Sequence, residues 1–217
     1  MLYEAQFRNP AGAGKLIQAI RDMDLPELRI MEICGTHTMS IAKAGLRQIL
    51  PPHIHLISGP GCPVCVTPSG VMDEVLRISQ LPNVTITTYG DLLRVPGSVP
   101  GDNLQRRSAQ GADVRMVYSP MDSLDMAEQE PDREFIFLGV GFETTAPGTA
   151  IAVQEAKARG RKNFSLLSLL KRTEPAMRAI IESDDFNVSG FLCPGHVATI
   201  LGEEGFRFLA EEYGIPS

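Results

Sequence analysis

From Leu28 onward the sequence repeats one order of events: a short apolar run, a polar or Gly/Pro-rich motif, then a segment with apolar residues at helical spacing. Parallel strands need a crossover between them and a helix supplies it, so this alternation points to parallel βα units. Residues 28–33 lead into Cys34-Gly35-Thr36-His37-Thr38, followed by Met39, Ile41, Ala42, Leu46 and Ile49 on one helical face. Residues 55–57 lead into Ser58-Gly59-Pro60-Gly61-Cys62-Pro63-Val64-Cys65, after which Thr67 is expected to cap, and Pro68 to start, a helix carrying Val71, Met72, Val75 and Leu76. Residues 84–88 lead into Tyr89-Gly90-Asp91, and 114–117 into Ser119-Pro120, again read as a cap and first turn.

The acidic stretch 125–133, with Pro131 and few apolar residues, reads as a linker. Beyond it the rhythm restarts. Residues 135–140 precede Gly141-Phe142-Glu143-Thr144-Thr145-Ala146-Pro147 and a helix capped by Gly160; 164–170 and 188–192 follow as further strands, the last leading into Cys193-Pro194-Gly195-His196. Residues 206–213 read as a helix, and Gly214-Ile215-Pro216 as a connection toward another strand. The expected fold is α/β, with two consecutive Rossmann-like βα subdomains, 1–124 and 134–217, the second incomplete at its C-terminus. Ahead of the first strand, residues 14–22 show helical spacing. Gly12-Ala13-Gly14-Lys15 matches only half of a phosphate loop, with no strand before it and no Ser or Thr after the Lys, and reads as a helix start.

Lys plus Arg number 20 against 26 Asp plus Glu, so no basic field is available to hold a nucleic-acid backbone. Residues 1–8 lack the basic start and long apolar middle of a signal peptide, and no apolar run reaches the length of a membrane span. A soluble cytoplasmic protein is expected, without nucleic-acid or membrane partners. In that compartment four cysteines serve as thiols, ligands or redox centres rather than as a disulfide framework.

Each cysteine follows a predicted strand, as do His37 and His196. Ligands of open α/β sheets bind beyond the carboxyl ends of strands, so Cys34, His37, Cys62, Cys65, Cys193 and His196, with Glu143, are expected on one rim facing a shared cleft. Cys62 and Cys65 have the spacing to close a small disulfide ring or to provide half a metal site; the alternative is two buried thiols used as small apolar residues. Cys34-x-x-His37 and Cys193-x-x-His196 each offer a soft thiolate and an imidazole to a metal, although a turn histidine also serves simply to cap backbone. Glu143 fits an acid, a base or a hydrogen-bonding wall, and equally a plain helix N-terminus. His53 and His55 are assigned no role.

Met31-Glu32-Ile33-Cys34-Gly35-Thr36-His37-Thr38, Ser58-Gly59-Pro60-Gly61-Cys62-Pro63-Val64-Cys65-Val66-Thr67-Pro68, Gly141-Phe142-Glu143-Thr144-Thr145-Ala146-Pro147 and Cys193-Pro194-Gly195-His196-Val197, in that order, closely resemble the motifs of the HypD family of hydrogenase maturation factors. The resemblance implies a scaffold on which the iron centre of NiFe-hydrogenase, Fe(CN)2CO, is assembled. It also implies a HypC-like small chaperone that adds its own thiolate and a HypE-like cyanide donor. By motif match Cys34 would coordinate iron with His37 beside it, Cys62 and Cys65 would form a redox pair, and Glu143, Cys193 and His196 would line the same cleft. Full-length members carry further C-terminal cysteines for a 4Fe-4S cluster; this chain stops short of them, so no cluster is expected in it. Two other functions fit the residues: a thiol-disulfide oxidoreductase working through Cys62 and Cys65, or a zinc-dependent hydrolase using Cys34, His37, Cys193 and His196 with Glu143 as base.

Overall fold

The computed structural model describes residues 9–217; residues 1–8, on which the signal-peptide reading rests, lie outside the described residues. In chain order the elements are α1 (Pro10–Asp22), β1 (Leu28–Glu32), α2 (Gly35–Lys43), α3 (Leu46–Ile49), β2 (Ile54–Ser58), α4 (Ser69–Ile78), β3 (Val84–Thr88), α5 (Leu104–Ala109) and β4 (Asp113–Met116). There follow α6 (Pro120–Gln129), β5 (Glu134–Gly141), α7 (Ala146–Ala158), β6 (Phe164–Leu170), α8 (Thr173–Ile181), β7 (Gly190–Leu192), α9 (Gly195–Leu201) and α10 (Arg207–Tyr213). Gly12-Ala13-Gly14-Lys15 lies inside α1, where Asn9 Oδ1 accepts from the Gly12 amide as N-cap, so it forms no phosphate loop. Among the described residues no helix is long and apolar enough to cross a membrane.

All pairings are parallel, in two sheets ordered β2-β1-β7 and β4-β3-β5-β6. The α/β class and the βα repeats are as the sequence implies. The division of the chain is not. One compact unit combines the chain through Gly61 with Arg178–Ser217, and the other is Cys62–Met177. Strand β7 pairs with β1, its partner from the far end of the chain, through Ile30↔Gly190, Met31↔Phe191 and Glu32↔Leu192. Periodicity identifies a strand but carries no information on its neighbour, and this pairing overturns the consecutive split at 125–133. That stretch is no linker either: α6 runs through Gln129, and Ser119 and Asp122 form a capping box at its start.

Within the second unit, α4 and α5 cover one face of the sheet. Met72, Val75 and Leu76 of α4, Leu92, and Leu104 of α5 pack on Ile86, Leu138, Val140 and Leu169, all nearly free of solvent. Each such side chain contributes about 1.5–3 kcal/mol by burial. Thr87 turns to the opposite face, where its hydroxyl meets Ser123 of α6 at 2.6 Å. In both sheets the strand order reverses at one strand: β2 and β7 flank β1, and β4 and β5 flank β3. The crevices at the carboxyl ends between β1 and β7, and between β3 and β5, are therefore the switch points where such folds bind ligands.

At the opposite end of the second sheet, Asp113 accepts hydrogen bonds from Thr85 Oγ1 (2.9 Å), Arg115 Nη2 (2.8 Å) and Arg133 Nη2 (2.7 Å). Chiefly the Arg115 hydrogen bonds hold its carboxyl below the usual range, against an opposing desolvation. A depressed native value stabilises the fold above the unfolded value of about 4 and loses that contribution as the pH falls through the native one. Asp113→Asn is expected to lower stability by about 1 kcal/mol at pH 7 and by progressively less toward pH ~2. Urea midpoints of both proteins across that range check it, and a difference that does not shrink on acidification contradicts it.

Candidate site at the carboxyl ends of the strands

In the first unit, Cys34 is the N-cap of α2, in ordinary extended backbone, and is 4% exposed. Its carbonyl accepts from the amides of His37 (2.9 Å) and Thr38 (3.2 Å), which fixes the turn from β1 into the helix. The loop after β2 passes directly over it. The Gly59 amide donates to the Glu32 carbonyl at 2.8 Å, and a Cβ on Gly61 would lie 2.7 Å from Cys34 Cα. No side chain fits there, which is the physical reason for glycine in Gly59-Pro60-Gly61.

Across the β1/β7 crevice, His196 in the first turn of α9 brings Nδ1 to 3.8 Å from Cys34 Sγ. The imidazole that meets this thiol is thus the one 162 residues away, not that of His37 three residues on. His37 Nδ1 is buried and lacks a hydrogen-bond partner among the described residues. Cys193 lies apart, beside a cavity of about 410 Å³ lined also by Phe206, Arg207 and Ser217. Burial pushes its thiol up to about 11, only partly offset by a hydrogen bond with Ser217. Among the described residues no three His, Cys, Asp or Glu side chains converge as a metal-ligand set, so the expected quartet of Cys34, His37, Cys193 and His196 is not assembled as one site.

Sequence reasoning passed over Glu32. Its side chain is fully buried at the end of β1, with Oε1 accepting from Thr38 Oγ1 at 2.6 Å and Oε2 without a partner among the described residues. A carboxylate directly after Ile30 and Met31 at the end of the strand was the available signal, since burying one is costly without hydrogen bonds. Through Thr38 it ties the end of β1 to the second turn of α2, and so sets the loop that carries Cys34.

In the second unit, Cys62 and Cys65 are joined as a disulfide, and the Cys65 amide donates to Cys62 Sγ at 3.1 Å. Thr67 does not cap α4. Its hydroxyl donates to the Pro63 carbonyl at 3.0 Å, closing the cysteine loop, and Pro68 stands at the N-cap. Glu143, in the loop after β5, accepts from the Thr173 amide through Oε1 (2.6 Å) and from Thr173 Oγ1 through Oε2 (2.7 Å), just beyond the neighbouring strand β6. Its carboxylate therefore sits at the N-terminus of α8, with both oxygens engaged in joining two loops.

Parallel βα sheets with thiols, an imidazole and a disulfide in the loops at their strand ends define the class: an α/β protein whose cysteines lie just beyond its strands. The chain belongs to the HypD family: the family model described as HypD, "Hydrogenase formation hypA family", matches residues 12–217. It is 43% identical over 225 residues to hydrogenase maturation factor HypD2 of Bradyrhizobium diazoefficiens and 43% over 224 to hydrogenase maturation factor HypD of Escherichia coli K12. Identity to hydrogenase maturation factor HypD of Rhizobium leguminosarum bv. viciae is 42% over 224 residues. Each comparison covers all of this chain, which spans 58–59% of the length of these relatives.

Two outcomes follow from the packing. Gly61→Ala is expected to destabilise by about 1–3 kcal/mol, whereas Gly70→Ala, in α4 and facing open space, gains up to about 1 kcal/mol of helix propensity; urea unfolding of the two variants reads the contrast. Iodoacetamide labelling of Cys193, followed by peptide mass spectrometry, should rise with pH toward a midpoint near 11. An ordinary midpoint of about 8.5 would show that burial does not act on this thiol.

Proposed function

We propose that the chain acts in hydrogenase maturation as the scaffold on which Fe(CN)2CO is assembled, holding the iron as cargo through the Cys34 thiolate. The observation that carries this is the placement of Cys34 and His196 at 3.8 Å in the β1/β7 switch point. Iron binding requires the thiol to lose its proton, and an imidazole at that distance can take it. A single thiolate beside an imidazole does not enclose a metal, which suits a centre completed from outside. A HypC-like small chaperone supplies a second thiolate and a HypE-like protein delivers cyanide. Thiolates donate strongly to the electron-rich iron that cyanide and carbon monoxide require. The pair Cys62 and Cys65 supplies the redox function: it is close enough to join as a disulfide, and its reduced form carries two electrons more. His37, beside Cys34, and Cys193 remain candidates for the surroundings of the iron, and Glu143 serves by holding the loop that follows β5.

The disulfide also favours a second reading, a thiol-disulfide oxidoreductase in which Cys34 is structural. A zinc-dependent hydrolase gains no support, because its ligands do not converge and both oxygens of its proposed base are engaged. Infrared spectroscopy separates the first two. Protein isolated anaerobically with the small chaperone should show cyanide and carbonyl stretching bands, and Cys34→Ala should remove them. Bands that persist in Cys34→Ala would transfer the iron to another residue, while disulfide-reductase turnover that survives Cys34→Ala but not Cys62→Ala would favour the oxidoreductase.

A further inference from the structure

The two cysteines of the disulfide are not equivalent as residues. Cys65 is exposed, whereas Cys62 is partly buried. The loop between them is held in place: Val64 packs against the core beneath α4, the Thr67 amide donates to the Val64 carbonyl at 3.1 Å, and the Thr67 hydroxyl holds the Pro63 carbonyl. In this fixed loop the Cys65 N–H points at Cys62 Sγ, 3.1 Å away.

We propose that thiol-disulfide exchange at this pair has a set polarity, in which an external thiolate attacks Cys65 Sγ and Cys62 departs as the thiolate. The inference rests on reading the pair as redox-active and deepens it. Two requirements of the exchange meet here: the attacked sulfur must be reachable, and the leaving sulfur must accept the electron pair of the breaking bond. Access selects Cys65. The hydrogen bond selects Cys62, because a weak N–H···S contact in the disulfide becomes charge-assisted once that sulfur carries the negative charge.

The step balances with a small thiol or dithiol as reductant. Its thiolate forms a new S–S bond to Cys65 while the Cys62–Cys65 bond breaks and the electron pair stays on Cys62. A second thiolate then attacks the reductant's own sulfur in the mixed disulfide and releases Cys65 as thiolate. The two reductant thiols leave joined as a disulfide, having passed two electrons to the pair.

The oxidised chain, mixed with excess glutathione and quenched early with N-ethylmaleimide, reports the polarity without any substitution. Fragment-ion mass spectrometry of the peptide holding both cysteines should find glutathione on Cys65 and maleimide on Cys62, in about tenfold excess over the reverse arrangement. Equal or reversed labelling overturns the polarity and leaves the redox reading standing. A pair that resists glutathione and also small dithiols overturns both.

Discussion

The close passage of the Gly59-Pro60-Gly61 backbone over Cys34 is the constraint on which the rest of the first unit depends. β1 and β2 run in parallel register as far as Glu32↔Ser58, and the chain leaving β2 then crosses the start of α2 with no room for a Cβ. Cys34 is shielded by that passage, its carbonyl is spent on α2, and its sulfur is left one direction, toward the β1/β7 crevice. Glu32 beneath it and His196 across from it act within the space this contact leaves. Had the loop carried side chains, the thiol would sit in a wider and wetter turn.

Burial then sorts the sulfurs by what each can do. Cys34 is enclosed yet meets an imidazole, Cys193 is held in its neutral form by desolvation, and the disulfide joins an exposed residue, Cys65, to a partly buried one, Cys62. Equal chemistry in the sequence becomes distinct roles because thiol reactivity follows charge stabilisation and access. The same sorting explains Glu143, a candidate acid or base by residue type, whose two oxygens the fold commits to Thr173.

Much of the fold was legible in the residues. Alternating apolar runs and helical faces located every strand of the second unit within a residue or so, and Ser119-Pro120 located the start of α6, because these are local properties of a few side chains and one backbone turn. Thr67-Pro68 shows where local reasoning ends. The same residue types are present, but the Thr67 hydroxyl finds the Pro63 carbonyl first and leaves α4 uncapped by a side chain. The acidic 125–133 stretch misled for a related reason. A short amphipathic helix with Leu124 and Ala127 turned inward resembles a linker until its packing partner is known.

By itself the sequence determined the α/β class, the parallel βα units and the placement of thiols, His196 and Glu143 just beyond strand ends, since periodicity and loop chemistry are written locally. Only the tertiary structure decided which strands are neighbours, and hence that Cys34 meets His196 rather than His37, that Glu32 is buried against Thr38, and that the chain divides at Gly61 and Arg178. Those pairings depend on residues up to 162 positions apart, whose meeting is set by the burial of whole faces and not by any property of the separate segments.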